Sequence, residues 1–416
     1  MRSADPPHYD SEFLRNRQAL QALLFSTTKL MEISASVLVR TPSIPQKLEL
    51  SRNIWALAQS SQLLVDRIGS LRTRVALPRP GSREYADFID DVISLSDPVR
   101  EHEILEKLAY PDLRDCVELH RTRVPASDEV TVDCLNQVRE RLTELSLPGP
   151  QEPVSAPLHF PFPKTGALSC GLVRENLSLE KIFIGRRTLE RIPNRPGRDA
   201  LVTQERTRDR EERLSKYGPI LYDFAFRIEL CAAEICAALL AHHTEAPWGL
   251  RFDLARQLRD EIRHFELFIS RANELGCKIG DLPVRFEVWD NFILGNDLAE
   301  RLIIEQRLGE GGAIDSADNI YKRLKEDGEE ELASAFQYVT ADEIVHVANG
   351  NKWLRYLLGN DEAVAKLENK IKDRLKACRS VEVYKHPISV ENRQLAGFTL
   401  VEIENIQQEF TARENG

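Results

Sequence analysis

The chain has 416 residues, 42% of them apolar and 29% charged, with a net charge of −10. That length supplies two or three sizeable cores, and the acidic balance argues against a protein that coats nucleic acid. No unbroken run of about 18 apolar residues is present, so no membrane span is expected.

The opening residues MRSADPPHYDSEF lack the basic and apolar regions of a signal peptide. The seven cysteines are scattered and odd in number, without a C-x-x-C pair. They read as reduced thiols of a cytoplasmic protein, not as a disulfide frame or zinc knuckle.

Residues 12–146 read as an N-terminal helical domain. Helices are expected over Phe13–Val39, Pro45–Arg74, Glu84–Ser96, Val99–Arg121 and Ser127–Leu145, punctuated by Pro42, Pro45, Pro78, Pro80, Pro98 and Pro125. This region holds Glu32, His102 and His120 but no metal motif, so a structural, dimer-forming or substrate-shaping role is expected. Residues 147–217 are proline-rich and then highly charged, which reads as an extended linker or a meander.

Residues 218–360 read as a four-helix bundle. Its helices are expected over Ile220–His243, Asp253–Leu275, Phe286–Gly309 and Glu329–Leu358, with a short extra helix over Asp315–Glu326. Residues 361–416 form a helical tail expected to pack on the bundle. The fold class is therefore all-α.

Two Glu-x-x-His motifs lie in the second and fourth bundle helices, Glu261–His264 in RDEIRHF and Glu343–His346 in ADEIVHV. Three residues apart on a helix, carboxylate and imidazole share one face. Both sit on apolar stripes: Leu254, Leu258, Glu261, Phe265, Phe268, Ala272, Leu275, and Leu332, Phe336, Val339, Glu343, His346, Gly350, Trp353, Leu357. A carboxylate there must be protonated, paired or bound to metal. A buried Glu–His hydrogen bond would explain one motif. Two motifs on separate helices fit a dinuclear site, which also needs one Glu from each of the other two helices.

The first bundle helix offers Glu229 and Glu234; the third offers Glu300, Glu305 and Glu310. Equal depth selects Glu229 and Glu310, which precede Glu261 and Glu343 by 32 and 33 residues. Glu234 and Glu305 would give 27 and 38. Periodicity favours Glu305 instead, on the stripe Leu294, Leu298, Leu302, and Gly309, Gly311 and Gly312 weaken a regular helix at Glu310. The candidate metal ligands are thus Glu229, Glu261, His264, Glu310, Glu343 and His346. Glu234 and Glu305 stand as alternative ligands or neighbours. Asp260, beside Glu261, is placed to orient a histidine of another helix, Asp342 repeats that position, and Arg259 is a further neighbour. His242 and His243 read as helix-end caps, and Cys231 and Cys236 as core residues.

The segments LRDEIRHFELFISRANELG and ADEIVHVANGNKWLRYL resemble a ferritin-like family of unknown function, related to the diiron-carboxylate proteins. RIELCAAEI, EGGAID and KHPISVENRQLAGFT extend the resemblance over roughly residues 190–400. Two departures stand out. Asp223 and Arg227 occupy positions where histidines would precede Glu229, and Gly311–Gly312 replaces a more helical pair. The resemblance implies a ferritin-like bundle with a dinuclear non-haem iron site and names no substrate.

Four carboxylates and two imidazoles form a hard donor set that suits iron or manganese, and four Glu neutralise two divalent ions. The expected cofactors are two Fe ions, or an Fe/Mn pair, with O2 as cosubstrate. The expected function is an oxidase or oxygenase acting on a small organic molecule, served by an electron donor, with a homodimer as one assembly. A ferroxidase-type or non-catalytic metal binder, a tRNA-modifying hydroxylase and a structural protein with vestigial motifs are the alternatives.

Overall fold

The computed structural model describes residues 11–71, 78–95, 97–145, 215–284, 286–379 and 387–414, and all regular structure among them is helical. The expected linker at 147–217 lies almost wholly outside the described residues. The chain divides into two compact units. The described residues of 1–145 and 240–259 belong to the first, and those of 215–239 and 260–414 to the second. Residues 240–259 thus group with the N-terminal helices, whereas the sequence reading places them in the 218–360 bundle.

The first unit contains α1 (Ser11–Arg40), α2 (Ile44–Ser70), α3 (Arg83–Ser94), α4 (Pro98–Ile104), α5 (Tyr110–Arg121) and α6 (Glu129–Thr143). Their starts follow from side-chain caps. Ser43, Ser82, Asp97 and Asp128 each accept a backbone N–H of the first turn, and Pro45 and Pro98 occupy first-turn positions where no N–H is needed.

The single helix expected over Val99–Arg121 is divided by a π-helical segment, Leu105–Ala109. Pro111 cannot donate to a carbonyl one turn back, and its ring crowds that carbonyl. The Tyr110 N–H instead reaches Leu105 O, five residues back.

Helix α1 is long and apolar enough to cross a membrane by length and composition, but 94% of its apolar window is buried inside the folded chain. Polar residues interrupt the apolar run without exposing it: Ser26, Thr28 and Ser34 turn their hydroxyls back onto carbonyls of the preceding turn.

The second unit contains α7 (Gly218–Asp223), a π segment (Phe224–Glu229) and α8 (Leu230–His242), whose last residues pass into the first unit. Next comes α9 (Trp248–Glu274), which enters the second unit at Asp260. Helix α10 (Glu287–Phe292) is short. Helix α11 (Leu298–Leu302) leads through a π segment (Ile303–Gly309) into α12 (Glu310–Glu326). Helix α13 (Glu330–Leu358), α14 (Asp361–Arg379), α15 (Val390–Leu395) and α16 (Leu400–Glu414) complete the unit.

The third bundle helix therefore differs from its expected bounds. Phe286–Gly309 is not one helix. It breaks after Phe292 and restarts at Leu298, where Asp297 caps the Glu300 N–H. The expected extra helix at Asp315–Glu326 is its continuation. Leu294 and Leu298 consequently lie half-buried, off any continuous core stripe.

Aromatic packing fixes the registers around the site. Phe224, Phe268 and Phe336 form a triad with ring centroids 5.0–5.8 Å apart, and Phe226 meets Phe265 at 5.3 Å. The α9 stripe is buried from Leu254 to Ala272, leaving Leu275 half-buried. The α13 stripe is buried through Gly350 and then shifts to Leu354, leaving Leu357 exposed, because a 3.6-residue helix drifts from a seven-residue repeat. A Cβ on Gly350 would lie 2.3 Å from Cβ of Gln306, so only glycine permits this approach of α13 to the π segment.

Candidate metal centre

Glu229, Glu261, His264, Glu310, Glu343 and His346 are all buried, none more than 3% exposed. They converge. One ligand atom from each of Glu229, Glu261, His264 and Glu343 lies within 4.8 Å of the others, and the same holds for Glu261, Glu310, Glu343 and His346. The two groups share Glu261 and Glu343. Each group then adds one histidine and one further glutamate.

The histidines face the centre through Nδ1. His264 Nδ1 lies 3.3 Å from Glu229, 3.5 Å from Glu261 and 3.2 Å from Glu343. His346 Nδ1 lies 3.2 Å from Glu261 and 3.1 Å from Glu343. Their outer nitrogens cross over. His264 Nε2 is 3.1 Å from Asp342, which precedes the glutamate of the other motif, and His346 Nε2 is 3.4 Å from Asp260. A carboxylate that accepts the outer N–H fixes the tautomer and leaves Nδ1 as the donor atom for an ion.

Sequence reasoning overlooked Arg263. It pairs with Asp260 and, at 3.2 Å, with Asp342, so one guanidinium ties the two orienting carboxylates together. The available signal was spacing: Arg263 lies one helical turn beyond Asp260.

Both glutamates that lie outside the Glu-x-x-His motifs, Glu229 and Glu310, stand at π segments. Glu229 is the last residue of Phe224–Glu229, where the Leu230 N–H bonds Ala225 O, and Glu310 follows Ile303–Gly309 with its own N–H on Glu305 O. The extra residue in the turn explains why simple periodicity pointed to Glu305. Five residues of α-helix would carry Glu310 well away from the Glu305 face, whereas an i→i+5 turn brings it back. Glu305 and Glu234 are buried but belong to neither ligand group. Glu300 is turned away, accepting from Arg374 at 2.7 and 3.0 Å.

The electrostatics describe a pocket short of positive charge. Burial pushes the Glu229 carboxyl up to about 8, reinforced by Glu261 and Glu343. Burial also raises Glu305 and Glu310 well above the carboxylate range, helped by the same two neighbours. For Glu261 burial is outweighed by His346 and His264, which hold it below the usual range. Burial lowers both histidines but is overcome by surrounding carboxylates, so both are raised well above 6.5. Without an ion, bound protons must neutralise this cluster.

The residues fit a pair of cations. Glu229 Oε2 and His264 Nδ1 are buried and face each other at 3.3 Å, yet neither makes a hydrogen bond. Donor atoms aimed at a common point without bonding one another are what an ion between them requires. The set of oxygens and imidazoles contains no thiolate. Cys236 is buried nearby, where burial and the Glu261 charge raise its thiol.

No curated protein and no solved structure matches the chain. A family model described as a protein of unknown function, DUF455, matches residues 167–404, more than half of the chain, and the chain belongs to that family.

Proposed function

We propose that the second unit is a ferritin-like four-helix bundle holding two iron ions, or an iron–manganese pair, and that the protein oxidises a small organic molecule with O2. One observation carries this reading: two four-residue ligand groups that share Glu261 and Glu343. Four glutamates and two histidines match the ligand count of the dinuclear carboxylate bundles, and their four negative charges balance two divalent cations. When bound, such a pair supplies the electrons that activate O2, and an external donor would restore them.

The chain's own residues do the rest. Asp342 and Asp260 accept the outer N–H of His264 and His346 and hold each Nδ1 inward. Each aspartate is held below its usual range, Asp342 chiefly by its bond to His264, and Asp260, against the effect of burial, by His346 and then Arg263. The aromatic triad of Phe224, Phe268 and Phe336 ties together the segments that carry the ligands.

Elemental analysis of protein made in iron- and manganese-supplemented medium tests the centre. Two ions per chain are expected, with His264→Ala and His346→Ala each lowering the content. Ferrous-loaded protein should consume O2 with a spectral change. Absence of bound metal, or unchanged stoichiometry in both variants, rejects the centre. Metal without O2 consumption rejects the oxidase reading alone.

A further inference from the structure

The start of α12, where Glu310 sits, is the weakest helical stretch around the centre. A π segment precedes it, and Gly311 and Gly312 follow, each disfavouring helix by about 1 kcal/mol relative to alanine. Glu229 has a different setting, because its π segment runs into Leu230–Leu240, where every residue is buried. Something other than local propensity must hold Glu310.

The C-terminal segment 389–402 meets this stretch on both sides of Glu310. Arg393 is fully buried. Its Nη2 donates to Gly311 O at 2.8 Å and to Asp315 at 2.6 Å, and its Nε donates to both Asp315 oxygens at 3.1 Å. The Ser389 N–H also donates to Asp315, at 2.9 Å. A Cβ on Gly311 would meet Arg393 Nη1 at 3.3 Å, so the glycine that weakens the helix also admits the guanidinium.

Three residues before Glu310, Arg307 donates to Glu368, to Asn351 at 2.5 Å and to Glu402 at 2.7 Å. The Phe398 ring lies under both guanidiniums, 4.5 Å from Arg307 and 4.9 Å from Arg393. Gly397, with φ +84°, makes the left-handed turn that delivers Phe398 there.

We propose that segment 389–402 is a clamp that sets the register of Glu310, with Arg393 as its positioning residue. The ion held by Glu310 and His346 then depends on the C-terminus, while the ion held by Glu229 and His264 does not. This rests on the dinuclear reading above. Planarity, stacking and the forked bond to Asp315 make the role specific to arginine.

The test compares wild type with Arg393→Lys, Arg393→Met and Phe398→Leu by Mn2+ titration of the metal-free protein and by amide exchange. The folded variants should bind one ion as wild type does and the second at least about tenfold more weakly. Amides of 303–315 should exchange faster than those of 224–240. His264→Ala should lose the opposite ion, and the double variant both. Equal weakening of both ions, or wild-type binding of both by folded Arg393→Lys and Arg393→Met, overturns the clamp. If wild type binds no ion, the dinuclear reading falls. The clamp is then judged by exchange alone and fails if protection of 303–315 is unchanged. Should Arg393→Met not fold, the lysine and Phe398 variants carry the same comparison.

Discussion

In the first unit, Glu32 lies buried between Lys29 at 2.7 Å and Arg251 at 2.6 Å, and the fully buried Glu101 is paired with Arg40. In the second unit, Glu229, Glu261, Glu310 and Glu343 are equally buried, and they gather with His264 and His346. Away from this centre the second unit follows the first unit's habit: Glu300 pairs with Arg374, Glu368 with Arg307 and Lys372, and Asp315 with Arg393. Each of these structural carboxylates among the described residues thus has a cation of the chain beside it, whereas the four glutamates of the centre gather around two imidazoles. Uncompensated buried charge is costly, so the proposal of bound cations rests on this contrast as well as on the two motifs.

Metal should therefore stabilise the two units unequally, the largest effect the comparison predicts. At a free metal concentration of 1,000 times Kd, the linkage gain is about 4 kcal/mol. Hydrogen exchange with and without a chelator should show that gain in the second-unit parts of α8, α9 and α13, and little of it in α1 and α2. Equal protection of both units, or none, would break the contrast.

The reverse experiment removes an internal cation. Arg251→Met strips one of two partners from buried Glu32. It should cost roughly 3 kcal/mol, the low end for a broken buried pair because Lys29 remains. Chemical denaturation reads that loss. Metal content should stay at the wild-type value, and a fall in it would tie the first unit's charge network to the centre.

How legible this was depended on the kind of signal. The N-terminal helices could be read from prolines and capping residues, because Ser43, Ser82, Asp97 and Asp128 act locally. The two Glu-x-x-His pairs could be read because their helices keep a regular period through the site. Glu310 could not be settled by period, since a π turn inserts a residue between Leu302 and Glu310, and the glycines at 309, 311 and 312 announce a weak helix there but not its register. Equal sequence distance favours it instead, because it compares whole helix pairs and is indifferent to one bulge, and the structure places Glu310 in one of the two buried groups. The Arg393 contacts span about eighty residues, and only the fold brings them together.

A smaller effect tests the two aspartates. Asp342→Asn and Asp260→Asn keep the shape of the partner of each histidine and remove its charge. Each should weaken metal binding 10- to 100-fold, about 1.4–2.8 kcal/mol. Because the pairing crosses between motifs, Asp342→Asn should weaken the His264 ion and Asp260→Asn the His346 ion. Double variants with the histidines would show this as non-additive losses. Additive losses would mean that the aspartates serve Arg263 alone.

The smallest expected effect belongs to His120 in the first unit, which uses a neutral partner instead of a cation. Its Nε2 lies 3.0 Å from Asn16 Oδ1, and Asn16 donates to Asp128 at 2.7 Å. Burial pushes this histidine from its ordinary 6.5 down to about 4. As pH falls through 6.5, the unfolded chain takes a proton that the folded chain refuses. Stability is therefore complete above 6.5 and is lost progressively down to about 4, by at most about 1.4 kcal/mol per pH unit. Burial raises Asp112 to about 6, which acts in the opposite sense, but it is present in both proteins of the comparison and cancels. His120→Asn should flatten the acid limb by about 1 kcal/mol at pH 5.5 relative to pH 7, read from denaturant midpoints of metal-free protein. Identical limbs would show that His120 takes its proton while folded, and that even this polar contact of the first unit is open to charge.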